Sequence, residues 1–123
     1  MPLVTVRYDP HVVDPRLIPG LGNVLCCAVS SALTVPGNPD AHLAPEDVEI
    51  KFEEIGRLDK HCLPLGIHIV ANDYPERSAN RDLRREKIQN AVSEFLMETM
   101  LPVPDKGSRF IWLCLVKGSF SFF

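Results

Sequence analysis

Met1-Pro2-Leu3-Val4-Thr5-Val6-Arg7-Tyr8 opens the chain. Leu3 to Tyr8 is rich in β-branched side chains and reads as a strand beginning at the N-terminus. Asp9-Pro10 ends it. Alternation places Pro2, Val4 and Val6 on one face and Arg7 on the other. Working outward, Asp14-Pro15 offers a helix cap followed by proline at the first helical position. Leu17, Leu21, Val24, Leu25, Ala28 and Ala32 then recur at helical spacing, and Pro36-Gly37-Asn38-Pro39 stops the helix. Val48-Glu49-Ile50-Lys51-Phe52-Glu53 alternates apolar and charged residues, as a strand with one wet face does. The order is strand, helix, strand.

The same order returns. After a polar connection from Gly56 to Pro64, Leu65 to Ala71 is a mostly apolar strand. Asn72 to Arg77 is a turn, and Ser78 or Asn80 caps a second helix. Leu83, Ile88, Ala91, Val92, Phe95 and Leu96 form that helix's apolar stripe, with Arg84, Arg85, Gln89, Ser93 and Glu94 on its wetter side. Pro102 and Pro104 end it. Phe110-Ile111-Trp112-Leu113-Cys114-Leu115-Val116 is a continuous apolar run, read as a strand buried on both faces. Two β-α-β units, about 1–56 and 65–123, thus form one α+β domain: a four-stranded sheet with two helices on one face. The apolar last strand asks for burial of the other face as well, which argues for an oligomer.

Composition agrees with one globular domain. The chain has 123 residues, 46% hydrophobic and 24% charged, with net charge −3. A chain of this size buries roughly 65% of its unfolded surface. It carries no basic stripe, which argues against nucleic acid as a partner. Cys26, Cys27, Cys62 and Cys114 show no CxxC spacing and read as free thiols of a reducing, cytoplasmic compartment. His11, His42, His61 and His68 form no metal-ligand pattern, so no metal is expected. The uncharged run from Leu17 to Pro39 passes for a signal peptide or membrane span. Its interruptions by Pro19, Gly20, Gly22, Asn23 and serines, and the acidic residues before it, favour a buried helix and no membrane association.

The chemistry begins at Pro2. If Met1 is removed, Pro2 presents a secondary amine on a rigid ring at the head of a strand. A free α-amino group titrates near 8. An apolar pocket and nearby cations lower that value, and the neutral amine is then a general base near neutral pH. With Met1 attached the nitrogen is an amide and has no such role.

With this arrangement the sequence resembles the tautomerase superfamily, whose members include 4-oxalocrotonate tautomerase, macrophage migration inhibitory factor, malonate semialdehyde decarboxylase and the 3-chloroacrylic acid dehalogenases. Arg109 opens the last strand, and Lys117-Gly118-Ser119-Phe120 places Phe120 eleven residues later, the spacing of 4-oxalocrotonate tautomerase. Pro75-Glu76-Arg77-Ser78 resembles the family's Arg-Ser pair before a helix. Alignment through Val92-Ser93-Glu94 instead favours Arg81, which is the second choice. The resemblance implies a homotrimer of two-unit subunits and a keto–enol tautomerase acting without a cofactor on a small α-keto or enol carboxylate. Pro2 is then the catalytic base. Arg109 and Arg77 bind the carboxylate and stabilise the enolate, while Phe120 and Arg81 line the substrate site. Glu49 stands where the family often has arginine, and Cys114 about where a tyrosine is found.

Three alternatives remain open, the plainest an unrelated α+β binding domain without a threefold assembly. A hydratase-type relative, a decarboxylase or dehalogenase, wants a protonated proline. A non-catalytic trimeric interaction module wants none. Each residue also has an ordinary structural reading: Arg109 as a strand-edge cation, Arg77 as a loop residue in solvent, Phe120 and Trp112 as packing. His68 reads as a hydrogen-bonded core histidine, and Cys26 and Cys27 as packing residues.

Overall fold

A computed structural model describes residues 1–119 and 121–123. Asp14 accepts the Arg16 backbone N–H and starts a single 3-10 turn, Pro15–Leu17. Pro19 lies in the first turn of the helix that follows, where its missing N–H costs nothing. The strands are β1 (Leu3–Tyr8), β2 (Glu49–Glu54), β3 (Leu65–Asn72) and β4 (Arg109–Val116). The helices are α1 (Ile18–Leu33), a one-turn α2 (Pro75–Ser78) and α3 (Arg81–Glu98). Sheet order is β2-β1-β3-β4. The two outer pairings are parallel, as β-α-β units require, and the central β1/β3 pairing is antiparallel. The α+β reading with two main helices and a four-stranded sheet is therefore what the chain adopts.

Period-2 alternation divides each strand. Val4, Val6 and Tyr8 of β1, and Leu65, Ile67, Ile69 and Ala71 of β3, are buried in the core. Leu21, Leu25, Val29 and Leu33 of α1, four residues apart, and Ile88, Val92 and Leu96 of α3 complete that core. The opposite set forms an open sheet face. Glu49, Lys51, Glu53 and Arg7 make its charged side, and Leu3, Val70, Trp112 and Val116 its apolar side.

Four expectations are corrected. The last strand is not buried on both faces: Trp112 is 62% exposed, and Leu113 alone is buried, because β4 is an edge strand with one covered face. Arg84 is not on the wet side of α3 but buried, held by backbone carbonyls. Leu83, assigned to the apolar stripe, is 52% exposed. Neither Ser78 nor Asn80 caps α3 through its side chain; Asn80 Oδ1 instead accepts from Arg84 Nε at 2.6 Å. Helix α1 is also less enclosed than its uncharged sequence suggests. Pro19, Asn23, Cys27 and Ser31, one turn apart, lie exposed in a line of small or polar residues. Among the described residues, Pro15–Leu33 is the one helical stretch long and apolar enough to cross a membrane, with mean hydropathy 1.4. Its leucines and Val29 pack in the core.

Candidate active site at the head of the first strand

Pro2 sits immediately before β1, its ring fully buried. Its carbonyl accepts the Glu49 N–H at 3.0 Å, which ties the head of β1 to the head of β2. The β1 alternation places Pro2 on the same face as Val4, Val6 and Tyr8, as expected. Met1 leads from it into a cleft of about 540 Å³, which Asp40, His42, Asp47, Asn72, Tyr74 and Phe122 also line. The loop between α1 and β2 supplies the first three, and the end of β3 with the segment after it supplies the next two. Asp47 Oδ2 accepts the Ala44 N–H at 2.7 Å, fixing that loop. Among the described residues no lysine or arginine lines the cleft. Its acidic and histidine side chains lay outside the sequence reading, for they come from a loop with no motif.

Arg77 lies behind the cleft wall rather than in solvent. It is 3% exposed. Its Nε donates to the Leu33 carbonyl at 2.7 Å and its Nη1 to the Asn72 carbonyl at 3.0 Å. The guanidinium stacks on Tyr74, 4.9 Å from the ring centre. Burial pushes its pKa down and the Arg84 charge pushes the same way, although an arginine stays charged in proteins. Arg84 holds the Ala32 and Thr34 carbonyls at 2.7 and 3.1 Å. Helix α1 has no basic residue in its own last turn. Two guanidiniums from the second unit therefore satisfy its C-terminal carbonyls and its dipole.

Arg109 is far from Pro2 in the same chain. It pairs with Leu65, which pairs with Tyr8 at the opposite end of β1. The offset along the strand is about 20 Å at 3.3 Å per residue. There Arg109 lines a separate cavity of about 190 Å³ with Lys106, Gln89 and Ser93. Arg81 is exposed on the first turn of α3. Phe120 lies outside the described residues. His68 is half-buried on the open face, where its ring meets Phe110 edge-on at 5.1 Å instead of hydrogen-bonding in the core. The four cysteines are free thiols, and Cys27 and Cys62 are exposed. One chain thus brings Pro2 and the wall behind which Arg77 lies together, and leaves Arg109 elsewhere.

No family model matches the sequence, and no curated protein matches it. Solved structures do. A fused 4-OT described as an asymmetric trimer superposes with TM-score 0.63 at 14% identity, covering 98% of this chain and 91% of its own. A member of the cis-3-chloroacrylic acid dehalogenase family gives 0.60 at 11% identity, over 94% of this chain and 76% of its own. MIF2 of Leishmania major gives 0.57 at 10% identity, over 98% and 93%. The fold of this chain is the one that these three proteins share.

Proposed function

We propose that the chain is a cofactor-independent keto–enol tautomerase acting on a small α-keto or enol carboxylic acid, with Pro2 as general base after loss of Met1. The observation that carries this reading is the place of Pro2: a buried ring, fixed by its carbonyl, at the head of a central strand, directly after the Met1 that lines a cleft. Loss of Met1 turns that nitrogen into a secondary amine and vacates part of the cleft. The strand fixes the direction of the lone pair, so little orientation is left to arrange. Burial favours the neutral, basic form. The base removes a proton from carbon or from an enol oxygen and returns it to the other position.

The carboxylate of the substrate needs a cation that the cleft of one chain lacks. In this reading three copies assemble through the open sheet face, and Arg109 of a neighbouring copy meets the Pro2 cleft. The exposed Leu3, Val70, Trp112 and Val116 support the packing, and the trimeric state of the fused 4-OT relative supports the number. Arg77 contributes its positive charge from behind Tyr74 and Asn72. Phe120 keeps its role as an apolar wall, and Arg81 is the alternative cation. The setting is cytoplasmic, with neither nucleic acid nor membrane as partner.

A second reading has a specific observation in its favour. Asp40 and Asp47 favour the charged form of an amine beside them. A Pro2 amine held above its ordinary value is an acid, and acid catalysis suits a hydratase-type decarboxylase or dehalogenase. The test is ketonisation of phenylenolpyruvate, followed by ultraviolet absorbance in wild type and Pro2→Ala, with intact mass showing whether Met1 is gone. The expected result is processed protein whose activity falls at least 100-fold in Pro2→Ala, the scale of a lost general base. A pH–rate profile rising through pH 6–7 supports the base, whereas a Pro2 titration near 9 transfers the case to the acid. Processed protein without activity on enol or halogenated acids leaves the trimeric interaction module.

A further inference from the structure

Strand β3 runs antiparallel to β1 with Val70 opposite Leu3, so the segment that follows β3 arrives beside Pro2 and Met1. Tyr74 is the second residue of that segment and lines the cleft. It is fixed from two sides. Its carbonyl accepts the N–H groups of Arg77 and Ser78 at 2.8 and 3.0 Å. Its ring lies on the Arg77 guanidinium, which is itself buried and tied to the Leu33 and Asn72 carbonyls. The hydroxyl takes no part in this anchorage. Among the described residues it has no hydrogen-bond partner, and no unpartnered polar side-chain atom is buried, so the hydroxyl is open to solvent. A free hydroxyl on a pinned ring is a directed donor. Removing a proton from the carbon beside a carbonyl drives an electron pair onto the carbonyl oxygen, and that charge needs a donor aimed at it. Asp40 and Asp47 accept rather than donate when ionised. Among the neutral donors of the cleft, His42 and Ser121 are exposed. The Asn72 amide is half-buried, but nothing among the described residues holds its side chain. Tyr74 is half-buried and held, and the Arg77 charge behind its ring favours negative charge gathering in front of it.

We propose that Tyr74 is a catalytic residue of the Pro2 cleft: its hydroxyl donates the hydrogen bond that receives the substrate's carbonyl oxygen as that oxygen becomes an enolate. The assignment rests on the tautomerase reading. In the enolising direction the Pro2 nitrogen takes the carbon-bound proton, the C–H electron pair forms the C=C bond, and the carbonyl π pair moves to the oxygen. Tyr74 keeps its own proton throughout and holds that oxygen, to which Pro2 then delivers the proton it took. Ketonisation runs the same steps in reverse. The keto oxygen and the carboxylate of the acid are then held by different residues.

The experiment has two arms. The first compares ketonisation of phenylenolpyruvate in wild type, Tyr74→Phe and Pro2→Ala. Phenylalanine keeps the ring and its seat on Arg77 and removes only the hydroxyl. It is expected to lower kcat about 100-fold, the scale of a lost oxyanion donor, with KM changed less than about threefold and the shape of the pH–rate profile kept. The second arm needs no turnover. The chain has two tyrosines, so 3-fluorotyrosine labelling gives two fluorine signals, and Tyr74→Phe identifies its own by loss. The Tyr8 signal, unchanged in that variant, establishes that it has folded. Oxalate, a planar and unreactive mimic of an enolate acid, is expected to shift the Tyr74 signal saturably and to leave in place that of Tyr8, at the far end of β1. Pro2→Ala is expected to lose activity and keep the shift, which separates the donor from the base. An unaltered kcat in Tyr74→Phe, or a Tyr74 signal that oxalate leaves in place, overturns the proposal. If no enol acid is turned over, the base reading falls alone, and the fluorine arm decides whether Tyr74 receives the acid.

Discussion

Arg77 and Arg84 show how one residue type serves two purposes that sequence alone does not separate. Both sit in or beside the second helix, where arginine reads as a surface or substrate-binding cation. Both instead reach the end of α1 and bond its last carbonyls. Hydrogen bonds from charged donors contribute about 1.5–3 kcal/mol each, and α1 offers no basic group of its own there. Arg84→Met is therefore expected to lower unfolding stability by roughly 3 kcal/mol in a urea titration; an unchanged midpoint would remove the capping role. Tyr8 carries a pH signature at the same scale. Burial raises its phenol above the ordinary value, and the Glu54 carboxylate, which accepts from its hydroxyl at 3.4 Å, adds to the rise. The neutral phenol is thus favoured in the folded chain. Its contribution to stability is whole below about pH 10 and is lost as pH rises past that. Ultraviolet difference titration should show one of the two tyrosines ionising late, and Glu54→Gln should bring it only part of the way back, since burial is the larger cause.

Between elements, the β3–β4 pairing depends on a glycine. Gly66 faces Phe110 across the two strands, and a Cβ at Gly66 would lie 2.6 Å from the Phe110 ring. The ring covers the bare backbone and is itself braced edge-on by His68. Gly66→Ala pushes the ring off that seat and is expected to cost about 1–3 kcal/mol by chemical denaturation, the range for overpacking. The two sites touch, so Gly66→Ala combined with Phe110→Ala should cost clearly less than the sum of the single changes. Strict additivity would mean that the ring moves away freely. This pairing also positions Arg109, which opens β4 one residue before Phe110.

For the whole molecule, the decisive feature is that one sheet face is covered by helices and the other is not. An apolar surface with Trp112 at 62% exposure is an ordinary face only if something packs on it. Light scattering on wild type should give the mass of three chains. Trp112→Lys should shift that mass toward one chain and leave the monomer's helical circular dichroism intact, because Trp112 contributes little to the chain's own core. A wild type that runs as one chain ends the trimer reading and, with it, the delivery of Arg109 to a neighbour's Pro2.

Periodicity was enough to read the order of strands and helices and the placement of Pro2 opposite Arg7. These are local properties: alternation, helical spacing and proline stops act through neighbours a few residues away. Arg109 was legible as the residue that opens the last strand, because the strand boundary is local too. What tertiary structure alone decided is which side chains share a space. The antiparallel pairing of β1 with β3 sends Arg109 to the end of the sheet opposite Pro2. Packing of α3 against α1 buries Arg84 on what looked like a wet face. The loop from Asp40 to Asp47 brings carboxylates to the Pro2 cleft with no motif to announce them. Each depends on contacts between residues more than thirty positions apart, and neither spacing nor propensity along a single segment encodes where such partners meet.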